Sequence, residues 1–233
     1  MQHPIQRRLT QLRERLAKQE YDTILVVEQA NRRYLSGFTA EDGQCDESAG
    51  VLFITPDRLV LATDSRYDTQ ARAEAPEFEV FCYKKGLAHS LPQILTDLRT
   101  KCLGFESVRL SYLQHQRCCE QLQEQKVSVS WVPTEGVVED LRMVKDAAEI
   151  IAIKRSLALA ESAFQACLAG LSPGMTEKEL AWALEKGLRE GGAESVAFTP
   201  IVASGPNAAL PHAIPSERRI RPGEPVLFDW GAR

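Results

Sequence analysis

The stretch IVASGPNAALPHAIPSERRIRPGEPVLFDWGAR, residues 201–233, decides how this chain is read. It opens on an apolar run that ends in the turn-forming set Ser204, Gly205, Pro206 and Asn207. It closes on a second apolar run, Pro225 to Trp230, broken by one acid, Asp229. Two β-rich runs around a loop of Pro, Asn and Ala predict strand, loop, strand. Alternation in the second run puts Val226 and Phe228 on one face, Leu227 and Asp229 on the other. A lone carboxylate among apolar neighbours is costly to bury without a partner. Asp229 therefore reads either as an edge-strand acid turned to solvent or as a hard oxygen ligand for a divalent cation. His212, with Pro211 before it and Pro215 three residues on, reads as a structural histidine or as a loop group that hydrogen-bonds or moves protons.

Upstream, Asp146 with Glu149 three residues later forms a capping box and opens a long helix. Ile150, Ile153, Leu157, Ala160, Phe164, Cys167 and Leu171 trace one apolar face of it, and Ser172-Pro173-Gly174 stops it. Thr176 with Glu179 caps a second helix, striped by Leu180, Leu184 and Leu188 and ended by Gly191-Gly192. Two strands alone make a marginal sheet. The expectation is a second domain, 133–233, that holds only the first part of its fold, in a chain that is a fragment of a longer protein.

The first half alternates in type. Ile5, Leu9, Leu12 and Leu16 make an amphipathic helix, and TILVV (23–27) is a buried strand. GVLFI (50–54) and LVLAT (59–63) flank a Pro-Asp turn as a hairpin. A helical stretch from Asp68 to Glu74, the strand FEVFCY (78–83), the helix LPQILTDL (91–98) and the strand VSVSWV (127–132) follow. This predicts a mixed α/β domain over 1–132, with a linker near Pro133–Glu139.

Composition narrows the function classes. The 233 residues carry 44% hydrophobic and 26% charged side chains and a formal net charge of −4, ordinary values for a globular protein. A nucleic-acid partner is not expected, because no basic footprint exists. The Lys and Arg pairs at 7–8, 32–33, 84–85 and 218–219 read as solvated surface. No run is long enough to span a membrane, and MQHPIQRRLTQLRER lacks a signal peptide's apolar segment. A cytoplasmic protein is expected. Cysteines 45, 82, 102, 118, 119 and 167 show no metal-ligand spacing and read as free thiols.

Strand, Ser-Gly-x-Asn turn, Pro-His pair and Gly-x-x-Val-x-x-Asp-x-Gly strand follow one another unbroken through 201–233. In that order they resemble the pita-bread metallopeptidases, in particular the Xaa-Pro aminopeptidase and prolidase branch. LRMVKDAAEIIAIKRSLALAESAF (141–164) resembles that family's opening helix. NRRYLSGF (31–38) and TDSRY (63–67) resemble its creatinase-like N-terminal domain. The resemblance implies a creatinase-like α/β mixed sheet followed by the first part of an α+β pita-bread domain. It implies a metal-dependent aminopeptidase that releases the residue before a proline in second position. Two divalent ions, Mn, Co or Zn, about 3.5–4 Å apart would share and activate a hydroxide. Asp229 falls on the first metal-bridging aspartate, and His212 on the catalytic, substrate-binding histidine. The family's other ligands, an aspartate, a histidine and two glutamates, fall beyond Arg233. The chain as given is therefore expected to be inactive and to bind metal weakly. A homodimer is implied as well. A creatinase-like hydrolase of a small amidine-type substrate and a non-catalytic binding or dimerisation module are the alternatives.

Overall fold

Continuous apolar runs such as Thr23–Val26 and Val51–Ile54, buried at every position, form when both faces of a sheet are covered. The computed structural model describes residues 4–43 and 48–233, so Cys45 lies outside the described residues. It divides into two compact units, Met1–Val144 and Lys145–Arg233.

The first unit runs α1 (Pro4–Leu16), β1 (Thr23–Val26), α2 (Gln29–Ser36), β2 (Val51–Ile54), β3 (Leu59–Asp64), α3 (Asp68–Glu74), β4 (Glu79–Tyr83), α4 (Leu87–Leu98), β5 (Cys102–Glu106), α5 (Tyr112–Glu124), β6 (Ser130–Thr134) and α6 (Glu139–Met143). Its 6-stranded sheet has the order β4-β3-β2-β1-β5-β6. β2 is antiparallel to both β1 and β3, while β1/β5, β5/β6 and β3/β4 are parallel pairs. Every strand except β2 therefore points the same way, and the carboxyl ends of β1, β3, β4, β5 and β6 share one edge. The period of two sorts each strand between layers. Ile24, Val26, Leu52, Ile54 and Leu61 pack with α1, α2, α3 and α6, whereas Leu25, Val51, Phe53, Val60 and Ala62 pack with α4 and α5.

The expected hairpin is present in the register Val51↔Ala62 to Ile54↔Leu59. Several features depart from the sequence reading, among them the helices α2, α5 and α6. First, the expected boundary between 132 and 133 moves to Val144/Lys145. β6 continues to Thr134, and Val138 and Leu141 are buried in the core of the first unit. Second, the strand expected from 127 begins at Ser130. Val127 and Lys126 still donate to Leu122 and Gln123 carbonyls, closing α5 through a left-handed Lys126 (φ 56°). Third, β5 was not foreseen. Gly104 interrupts its pattern because the Tyr21 ring lies 2.7 Å from where a Cβ would stand. Fourth, Arg32 is not solvated. It is fully buried, ion-paired to Asp42 at 3.0 Å, and donates to the Gly50 and Ala40 carbonyls.

The second unit runs α7 (Ala147–Gly170), α8 (Glu177–Glu190), β7 (Ile201–Ser204), a 3-10 turn (Gly205–Ala209) and β8 (Val226–Asp229). Both capping boxes foreseen are present, at Asp146/Glu149 and Thr176/Glu179. Only the later half of α7's apolar face is covered. Ala160, Ala163 and Cys167 are buried, while Ile150, Ile153 and Leu157 are about half exposed. Length explains this: α8 has 14 residues against 24 in α7. At 1.5 Å per residue it reaches back only to the region of Leu159, whose side chain lies 3.4 Å from where a Cβ on Gly191 would stand. The described cysteines are free thiols, and burial pushes the Cys118 thiol up to about 12.

The revised boundary makes a testable difference. A segment ending at Val144 should melt cooperatively on its own. A segment ending at 132 loses Val138, Leu141 and the end of β6, and should melt ~10 °C lower or without a cooperative transition. Equal melting temperatures for the two segments would contradict the placement of α6 in the core.

Candidate functional site

The second unit positions its loops on one small sheet. β7 and β8 pair antiparallel in the register Ile201↔Asp229, Val202↔Phe228, Ala203↔Leu227 and Ser204↔Val226. Phe228 meets the Phe164 ring of α7 edge-on at 5.1 Å, and Trp230 stacks on the same ring at 4.3 Å. The Trp230 indole N–H also donates to the Ala160 carbonyl at 3.0 Å. These contacts turn Val226 and Phe228 to the core and leave Leu227 and Asp229 on the exposed face. The alternation read from the sequence is the one observed. Of its two readings of Asp229, the solvent-facing orientation is seen, and that orientation leaves the carboxylate open to a ligand.

The loop between the strands is fixed by a residue the sequence reading passed over. Glu177, the first residue of α8, is completely buried. Its Oε1 accepts from the Ser204 amide at 2.7 Å, the Ser204 hydroxyl at 2.9 Å and the Asn207 side chain at 3.1 Å. Its Oε2 accepts from the Ser216 amide at 3.0 Å and the Ser216 hydroxyl at 2.6 Å. One carboxylate thereby holds both ends of the segment 204–216. Burial alone would raise its pKa, but the hydrogen bonds from Ser216 and Ser204 outweigh it and hold the group down at about 2. Glu177 is thus an anion at neutral pH, and an acceptor at every oxygen. The backbone adds to the clamp: Glu177 N donates to Arg218 O and Lys178 N to Ser216 O, while Gly174 N donates to Ile220 O and Ile220 N to Met175 O nearby. Gly205 sits at φ +51°, where a Cβ would stand 2.6 Å from the Arg218 guanidinium. That guanidinium donates to Glu224 at 2.6 Å.

His212 lies on the outside of this clamped segment, exposed, with Ala213 beside it buried. An imidazole so placed can donate or accept a hydrogen bond toward a molecule approaching from solvent. His212 and Asp229 are both on exposed positions of the second unit, and no hydrogen bond joins them among the described residues. Nor does any group of three or more His, Cys, Asp and Glu side chains come together as a metal cluster among those residues. Asp229 faces Ile201 across the ladder, and one carboxylate is too few to hold two dications. The described residues therefore do not by themselves fit a two-metal centre. The sequence signal for Glu177 was weak. An acid in the first turn of a helix ordinarily complements the helix dipole from the surface, and nothing local shows the side chain turning inward. The paired hydroxyls of Ser204 and Ser216, one at each end of a proline-rich loop, were the available hint.

Glu177→Gln should expose the clamp's dependence on charge. A glutamine presents an NH2 to donors that need an acceptor, so we expect a loss of about 2–3 kcal/mol. Because the folded pKa is depressed, the carboxylate's contribution is present above pH 4.5. It is lost as the pH falls toward about 2. The wild-type melting temperature should fall across that window more steeply than the variant's. Parallel pH profiles would contradict the assignment.

Comparison with known proteins accords with this geometry. Residues 8–144 match the family described as creatinase/prolidase N-terminal domain, and residues 151–233 match metallopeptidase family M24. A Xaa-Pro dipeptidase of Pyrococcus furiosus is 29% identical over 97% of this chain and 60% of its own length. Among solved structures, a Xaa-Pro dipeptidase from Bacillus anthracis superposes with a TM-score of 0.86 at 33% identity, covering 98% of this chain and 61% of that one. An X-Pro aminopeptidase from Thermotoga maritima gives 0.79 at 34% identity, covering 94% and 60%. The chain thus spans about 60% of the length of the relatives it matches. It belongs to the creatinase/prolidase family, with the N-terminal domain of that family followed by the start of an M24 metallopeptidase domain.

Proposed function

We propose that the whole protein is a metal-dependent peptidase that releases the N-terminal residue from peptides with proline in second position, as a Xaa-Pro aminopeptidase or dipeptidase. The observation that carries this reading is the clamped loop. Glu177 fixes both ends of the segment bearing His212 while leaving its imidazole free toward solvent. Rigidly held groups are what positioning a scissile bond requires. The peptidase names of the similar proteins support the substrate class. His212 is proposed to hydrogen-bond the substrate around the scissile bond. Asp229 is proposed as one carboxylate ligand of a centre for two divalent ions, Mn, Co or Zn, the remaining ligands coming from elsewhere in the whole protein. The 233 residues by themselves are proposed to be inactive, for want of those ligands.

The enzyme is further proposed to act in the cytoplasm and, on the strength of the family resemblance, as a homodimer. Among the described residues no helix is long and apolar enough to cross a membrane. A monomer by sedimentation at micromolar concentration would remove the dimer from this reading.

The two site residues should fail in different ways in the whole enzyme. Asp229→Asn keeps the volume but halves the oxygen donors, so metal content and turnover should fall together. His212→Ala should leave metal content and melting temperature nearly unchanged while lowering turnover ~10²–10³-fold. Loss of metal on His212→Ala would place it in the coordination shell and overturn these roles. The isolated 233-residue chain should not turn over a Xaa-Pro peptide with manganese, cobalt or zinc. Turnover that Asp229→Asn abolishes would show the short chain to be competent.

A further inference from the structure

At the carboxyl edge of the sheet in the first unit, a cavity of about 390 Å³ opens beside the ends of β1, β3 and β4. Crevices outside the carboxyl ends of parallel strands are where open α/β sheets bind ligands. One wall is apolar, formed by Val27, Val51, Leu87 and Leu110. The other is cationic. Asp64 in the lining is neutralised by a two-toothed pair with Arg66, at 2.9 Å. That leaves Lys85 and Arg117, neither of them in an ion pair among the described residues, as a net positive charge at the mouth.

Two further features point at an anion. α4 starts here, and its N-cap is Gly86 at φ +86°, which has no side chain to accept from the first-turn amides. The free N–H groups and the helix dipole therefore face the cavity uncompensated. Independently, Tyr83 lines the cavity, is 8% exposed, and has no hydrogen-bond partner for its hydroxyl among the described residues. Burial, with Asp64 adding to it, pushes its pKa up to about 12. At neutral pH the phenol is a protonated donor that no protein acceptor among the described residues engages, and it is available to a ligand in the cavity.

We propose that this cavity binds a small ligand with an oxyanion headgroup, carboxylate or phosphate, carried on a short apolar body. The headgroup accepts from the α4 amides and the Tyr83 hydroxyl, between Lys85 and Arg117. The body lies on Val27, Val51, Leu87 and Leu110. The proposal stands apart from the peptidase reading, because every residue in it belongs to the first unit.

Amide NMR on the full 233-residue chain, titrated with hexanoate, hexyl phosphate and neutral hexanol, tests it. Hexanoate or hexyl phosphate should shift Gly86, Leu87 and Ala88 saturably, with a Kd on the order of 1 mM. The tighter of the two identifies the headgroup, and hexanol should bind at least ~10-fold more weakly. Arg117→Glu and Lys85→Glu, both exposed, should each weaken the anion ~10-fold. Tyr83→Phe keeps the ring and should weaken it ~5-fold. Absence of saturable shifts at α4, hexanol binding as tightly as the anions, or indifference to the charge reversals would overturn the proposal.

Discussion

A single buried carboxylate governs the second unit. Glu177 gathers donors from Ser204, Asn207 and Ser216, at both ends of the loop carrying His212. The constraint follows from elementary electrostatics: an anion taken out of water must recover nearly all its hydrogen bonds inside the protein. The donors closest to hand are the amides and hydroxyls of two segments far apart in sequence. Satisfying the charge therefore closes the loop. The helix capping of α8, the short β7–β8 ladder and the turn at Gly205 all converge on that requirement.

The first unit uses a similar device with a different electrostatic outcome. Glu106, at the end of β5, accepts from the amides of Val27 and Glu28 at 2.6 Å and from Asn31 at 2.7 Å, fixing the turn between β1 and α2. Burial, helped by the nearby Glu139, raises its pKa despite these bonds. Glu177 moves the other way, because side-chain hydroxyls join the amides around it and no acid is among the causes of its shift. Both glutamates freeze the geometry of a loop at the edge of a sheet. Rigid loops on rigid strands are the usual setting for binding and catalysis.

Much of this was legible in the sequence. Helix caps announce themselves locally, so Asp146/Glu149 and Thr176/Glu179 mark the starts of α7 and α8 within a residue. Period-two alternation in 225–230 settled which face Asp229 takes. What is not legible there is non-local. α5 carries only Cys118 and Leu122 inward and so has no apolar stripe to read. β5 is broken by a glycine whose reason is the ring of Tyr21, some eighty residues away. Arg32 and Glu177 are charged residues inside the protein, and propensity places such residues outside unless their partners are known. The boundary differs for the same reason, since Val138 looks like linker until its core partners are in view.

The account therefore rests on a clamp, and amide hydrogen exchange reads a clamp directly. The Ser204 and Ser216 amides both donate to Glu177, one from the end of a strand and the other from a loop that would exchange freely without it. In the 233-residue chain at neutral pH, both should be slowed together, by ~10³-fold relative to the exposed His212 amide between them. Exchange of Ser216 at the rate of His212, with Ser204 alone protected by its strand, would show that the carboxylate does not hold the loop.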